Sequence, residues 1–70
     1  MARFRRDREP VAPTGVRAHL RDVSTVEPPL FYVGDNAEGM HVWEAVLDVD
    51  VALVAKVTVE TLPARTEIRF

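Results

Sequence analysis

Leu30-Phe31-Tyr32-Val33-Gly34-Asp35-Asn36-Ala37-Glu38-Gly39-Met40-His41-Val42-Trp43-Glu44-Ala45-Val46-Leu47 decides the fold class of this chain. Leu30 to Val33 is a short run of aromatic and branched residues, the composition that suits a pleated, half-buried strand. Gly34 to Gly39 supplies turn chemistry. The glycines at its two ends accept positive φ, and Asp35 and Asn36 carry side chains that bond to nearby backbone. Met40 to Leu47 then returns as a second strand. The loop is longer than a tight two-residue turn, so the sequence predicts a hairpin with an extended connection.

Downstream, the odd positions read Val49, Val51, Leu53, Ala55, Val57 and Val59, between Asp48, Asp50, Ala52, Val54, Lys56, Thr58 and Glu60. Apolar residues recurring at period two predict a strand with its odd positions on one buried face. On that reading Val51, Leu53, Val57 and Val59 do not all meet solvent, and Leu53→Asp is the most damaging change in the set. A helix from Trp43 to Val54 is the competing reading. It would line up Trp43, Val46, Leu47, Val51 and Val54 but leave Val49 and Leu53 off the stripe, and valine stiffness at χ1 disfavours it. Leu62-Pro63-Ala64-Arg65 reads as the turn of a second hairpin, with proline at its second position. Alternation resumes at Thr66, with Ile68 and Phe70 set against Glu67 and Arg69.

Upstream, Glu27-Pro28-Pro29 interrupts the chain, and Val16, Ala18 and Leu20 alternate with Arg17, His19 and Arg21. This is strand periodicity, although Val16, His19, Leu20 and Val23 also fit a helical stripe. Before Val16, Pro10 and Pro13 remove backbone donors and Thr14-Gly15 signals a turn, which predicts an extended arm over residues 1–15. The expected architecture is therefore mostly β. Residues 16–70 would form a small antiparallel meander of four or five strands, folded as a compact barrel or a sandwich and preceded by that N-terminal arm.

The chain has 70 residues, enough for one small domain. A core of this size supplies roughly 3–5 kcal/mol of net stability, and short chains commonly supplement it with disulfides, a metal or a partner. Cysteine is absent, which leaves partner chains as the expected supplement. No apolar run has the length of a membrane span and the start lacks a signal-peptide pattern, so no membrane association is expected and cytoplasmic synthesis is the default.

The net charge of −2 conceals an asymmetry. Arg3, Arg5, Arg6, Arg8, Arg17 and Arg21 face only Asp7 and Glu9 within residues 1–21, whereas nine of the eleven acids lie beyond. A basic arm precedes an acidic body. Lys56 is the only lysine, and this arginine bias is the composition of a GC-rich genome such as an actinobacterium or one of its phages.

Sites of chemistry are few. His19 and His41 lack the spacing of metal ligands and no thiolate accompanies them. Asp48 and Asp50 would share a strand face, where two carboxylates can hold a cation or raise one another's pKa, but acids beside a turn are commonplace. Asp35 to Gly39 has part of a calcium loop's composition without its closing glutamate. Ser24 lacks the glycines of a nucleophile elbow, and Gly15, Gly34 and Gly39 form no phosphate-binding cluster. The expectation is a protein that is not an enzyme and uses no cofactor.

Arg3-Phe4-Arg5-Arg6-Asp7-Arg8 is the most distinctive local feature. Arginines can neutralise phosphates and Phe4 can stack on a base, which makes a nucleic-acid-binding small barrel one reading. Asp7, Glu9 and the acidic body oppose a polyanion, so an acidic protein surface, including a neighbouring copy, fits the arm better. Phe31 and Tyr32 are adjacent in a strand and must point to opposite faces, and Tyr32, with its hydroxyl, is the one expected at a wet partner boundary. The strand finishing in Phe70 offers an edge. The sequence thus points to a structural interaction protein that binds within a larger protein assembly through Arg3, Phe4, Arg5, Arg6, Arg8, Tyr32 and Phe70. Its most concrete form would be a capsid-decorating or tail-associated virion accessory of a phage. A regulatory subunit or inhibitor that adds an edge strand to one host protein is the remaining alternative.

Overall fold

The computed structural model describes residues 9–70. Six strands are arranged in two three-stranded sheets, in a sandwich-like rather than closed-barrel form. They are β1 (Arg17–Leu20), β2 (Thr25–Val26), β3 (Leu30–Asp35), β4 (His41–Ala45), β5 (Val54–Thr58) and β6 (Thr66–Arg69), with a 3-10 turn at Val51–Leu53 before β5. The first sheet has the order β2-β1-β5 and the second β3-β4-β6. β1 forms as the alternation from Val16 to Arg21 predicts, with Val16 and Ala18 buried.

β1 and β2 are joined by a hairpin in which the Val23 amide donates to the Leu20 carbonyl and the Leu20 amide to the Ser24 carbonyl. Asp22 stabilises this turn by accepting from the Ser24 amide and hydroxyl. Val23 takes a φ of 67°, a conformation costly for a β-branched side chain.

The hairpin read from Leu30–Leu47 is present as β3 and β4, with Leu30 opposite Ala45, Phe31 opposite Glu44 and Tyr32 opposite Trp43. Val33 is then an extra residue, and Gly34 pairs with Val42 and Asp35 with His41. Gly34, at a φ of 117°, allows this bulge where a side-chain-bearing residue would be strained. The connecting loop closes on Asn36, whose side-chain oxygen accepts from the Glu38 and Met40 amides. β4 is the central strand of its sheet, and each of its faces carries a buried residue. Trp43 and Ala45 are buried on one face and Val42 on the other. Val42 is in register with Glu67, and a hydrogen bond from Asn36 to Glu67 holds the loop over that face.

The second expected hairpin does not form. β5 pairs antiparallel with β1, and β6 pairs parallel with β4. Thr61 remains bonded to Thr14 in the first sheet, whereas the Arg65 carbonyl already accepts the His41 amide of the second. The segment read as a hairpin turn therefore carries the chain from one sheet to the other. Gly15 permits the close approach of Thr14 to Thr61, because a Cβ there would collide with the Glu60 side chain.

The alternation read from Val49 to Val59 also changes phase. Ala18 pairs with Val57 and His19 with Lys56, but Leu20 pairs with Val54, leaving Ala55 as an extra residue. Val57 and Val54 consequently share the inner face of Ala18 and Leu20. Val51 and Leu53 fall in the 3-10 turn and are exposed, Leu53 by 49 %, while Val59 is half-buried. Asp48 and Asp50 do not share a strand face either, since both precede this turn and the Asp50 carboxylate caps it by accepting from the Ala52 amide.

Candidate functional site

Two features of the described residues bear on function: a polar cluster at one end of the second sheet and an apolar surface that the domain leaves uncovered. The cluster follows from the Val33 bulge. By adding a residue between Tyr32 and Asp35, the bulge puts both side chains on one face, beside His41, the register partner of Asp35. The Tyr32 hydroxyl donates to Asp35 Oδ1 at 2.5 Å, and His41 Nδ1 lies 2.7 Å from the same oxygen. These bonds hold the Asp35 carboxyl below its ordinary pKa, the tyrosine bond being the larger cause and the histidine the second. The same bond to Asp35 pushes the Tyr32 hydroxyl up.

An aspartate on Nδ1 orients an imidazole and favours a free Nε2, the arrangement that prepares histidine for proton transfer or metal ligation. Either task needs further groups. Among the described residues there is no cluster of three His, Cys, Asp or Glu side chains suited to a metal ion. His19, the other histidine, bonds to Thr58 across β1 and β5. Ser24 is committed to Asp22 in its turn. The Tyr32-Asp35-His41 cluster therefore ties the end of a hairpin. Asp35 is six residues from His41, a spacing that matches no ligand or catalytic motif. Asp35 and His41 flank the loop symmetrically, and pairing the two strands across it would have placed them opposite one another.

The expected partner-binding residues divide into three groups. Arg3, Phe4, Arg5, Arg6 and Arg8 lie outside the described residues. Of the adjacent pair it is Phe31, and not Tyr32, that is the more exposed. Tyr32 is half-buried and packs on Trp43 with ring centroids 5.4 Å apart, whereas Phe31 is 56 % exposed. The reason is register, since Tyr32 shares the face of buried Trp43 and Phe31 that of exposed Glu44. Phe70 is exposed.

Phe31 is one of ten large apolar residues exposed among the described residues. Val33, Val46, Val51, Leu53, Val57 and Leu62 are also exposed, whereas the buried apolar side chains among the described residues are Val16, Ala18, Val42, Trp43 and Ala45. Within this thin core the Trp43 Nε1 donor is buried and has no hydrogen-bond partner among the described residues. No helix among the described residues is long and apolar enough to cross a membrane. Comparison of the chain with protein-family models, with curated proteins and with solved structures gives no match.

Proposed function

We propose that this protein is a non-enzymatic interaction module that works by binding other protein chains within a larger assembly. The observation that carries the proposal is the imbalance between a core of five buried apolar residues and ten exposed large apolar side chains among the described residues. Single exposed apolar residues are ordinary on any protein. In a domain this small, however, apolar area left outside is a large share of what could have stabilised the fold, and a partner that covers it supplies the missing burial. The charge contrast between the arginine-rich N-terminal segment and the acidic remainder supports the same reading, because it provides a long-range attraction between chains. A capsid-decorating or tail-associated accessory protein of an actinobacterial phage is the most concrete form of this function, supported by small size and arginine-biased composition.

Native mass measurement of the protein isolated from its source tests the proposal. The expected result is a particle of many chains that dissociates in part as salt is raised. Reversing Arg5 and Arg6 to glutamate should weaken it more than changing both to alanine. A native species with the 7.9 kDa mass of one chain would overturn the reading.

A further inference from the structure

The four sheet edges are unequally protected. β2 is two residues long and is followed closely by Pro28-Pro29. β3 carries the bulge at Val33, and β5 carries a bulge at Ala55 together with Lys56, the single lysine of the chain. Short strands, prolines, bulges and edge lysines are the devices that keep sheet edges from pairing with other chains. β6, four residues long, contains no bulge, proline or lysine. Its register with β4 is regular from Thr66 to Arg69, and among the described residues no strand lies on its other side.

The sequence of β6 is also complementary to itself. If two copies run antiparallel about a two-fold axis at Ile68, Glu67 stands opposite Arg69 of the second copy and Arg69 opposite its Glu67. Thr66 then meets Phe70 of the second copy. Opposite charges directly across an antiparallel pair are stabilising, and the two-fold makes the favourable pair twice. Among the described residues neither Glu67 nor Arg69 has an ion-pair partner within its own chain. Glu44, in register with Arg69 on β4, extends the alternation of sign across the joined surface. Phe70, exposed in one chain, would gain a neighbour on the second copy.

We propose that the β6 edge is a homodimer interface, in which the β3-β4-β6 sheets of two copies join into one continuous six-stranded sheet. This rests on the reading of the protein as an assembly component and names one of its partners as a second copy of the same chain. Sedimentation equilibrium of the whole protein over a range of concentrations tests it. A wild-type monomer–dimer equilibrium is expected. Glu67→Arg or Arg69→Glu, each of which sets like charges opposite one another twice, should weaken it about tenfold or more. The double exchange, Glu67→Arg with Arg69→Glu, should restore association. Arg69→Glu removes no hydrogen bond found among the described residues, and an unchanged far-ultraviolet circular dichroism spectrum would show that its effect is on association rather than folding. A wild-type protein that stays monomeric, or a dimer indifferent to either reversal, would overturn the proposal. If the isolated chain is monomeric while the native material remains in a larger particle, the β6 interface fails and the assembly reading stands. Native material that is also monomeric removes both.

Discussion

β4 and β5 are apolar strands of equal length, yet they contribute very differently to the fold. β4 buries Val42, Trp43 and Ala45, whereas β5 has no fully buried residue. The regularity of their sequences would suggest the reverse order, because alternation is longer and cleaner around β5. Position in the sheet explains the difference. β4 has a neighbour on each side and a loop across one face, while β5 has, among the described residues, only β1 beside it. Val57 shares the inner face with fully buried Ala18 but remains 39 % exposed, and no strand among the described residues continues the sheet beyond it. Period two predicts a strand and its two faces. It does not say how many neighbours will cover them.

The sharpest way to break this comparison is to put the same charge into each region. Val42 is 2 % exposed, and Val42→Asp would strand a carboxylate in the centre of the second sheet. A loss of about 4 kcal/mol or more is expected, which is comparable to the whole stability of a domain this small and should leave the chain unfolded. Leu53→Asp, the change that sequence alone marked as worst, should cost no more than about 0.5 kcal/mol, because Leu53 sits in an exposed turn. Urea unfolding of the two variants side by side checks the contrast, and equal losses would mean that the turn leading into β5 is as deeply embedded as β4.

Trp43 sharpens the account of β4 further. Trp43→Ala should destabilise by about 3–5 kcal/mol through loss of buried area and the cavity it leaves. Trp43→Phe should cost much less, because removing the indole also removes a buried donor that has no partner among the described residues. Similar losses in the two variants, measured by urea unfolding, would show that the donor is satisfied in solution.

The turn between β1 and β2 offers a gain. Val23 is 93 % exposed and has a positive φ, so its side chain contributes strain and little packing. Val23→Gly should raise the unfolding free energy by about 1 kcal/mol, a shift readable in the thermal midpoint. A loss instead would mean that the flexibility of glycine in the unfolded chain outweighs the relief.

The elements of the fold were largely legible in the sequence: the strand from Arg17, the β3–β4 hairpin with its glycine-ended loop, and the strand at Thr66. What escaped was non-local. One residue inserted at Ala55 resets the faces of β5, and another at Val33 does so for the end of β3. Nothing in the composition of either segment marks a bulge, apart from Gly34. The sheet assignment of β6 was hidden for a different reason. Leu62–Arg65 has good turn chemistry, but a turn fixes only local direction, and the bond between Arg65 and His41 that commits β6 to the second sheet joins residues far apart in sequence. The same long-range effect put Tyr32 beside Trp43 and turned Phe31 outward. Site residues could be named from chemistry alone, but their exposure depended on register.

The Tyr32-Asp35-His41 cluster yields the smallest effect and the most local test of that register. Asp35 has a depressed pKa in the folded chain, so its contribution to stability is present above the unfolded carboxyl value of about 4 and is lost as pH falls through the lower folded value. Tyr32→Phe deletes the larger of the two hydrogen bonds responsible while keeping the ring against Trp43. The Asp35 pKa should then rise part of the way toward its ordinary value, with the His41 bond holding back the remainder. Carboxyl-carbon NMR titration reads this shift at the site itself. The stability curves of wild type and variant should also converge in acid, because protonated Asp35 no longer distinguishes them. Both side chains are partly exposed, so the difference at neutral pH should be small. An Asp35 titration unchanged by Tyr32→Phe would mean that the hydroxyl does not reach the carboxylate. The Val33 bulge would then not bring positions 32 and 35 to one face, and the greater exposure of Phe31 than of Tyr32 would lose its explanation.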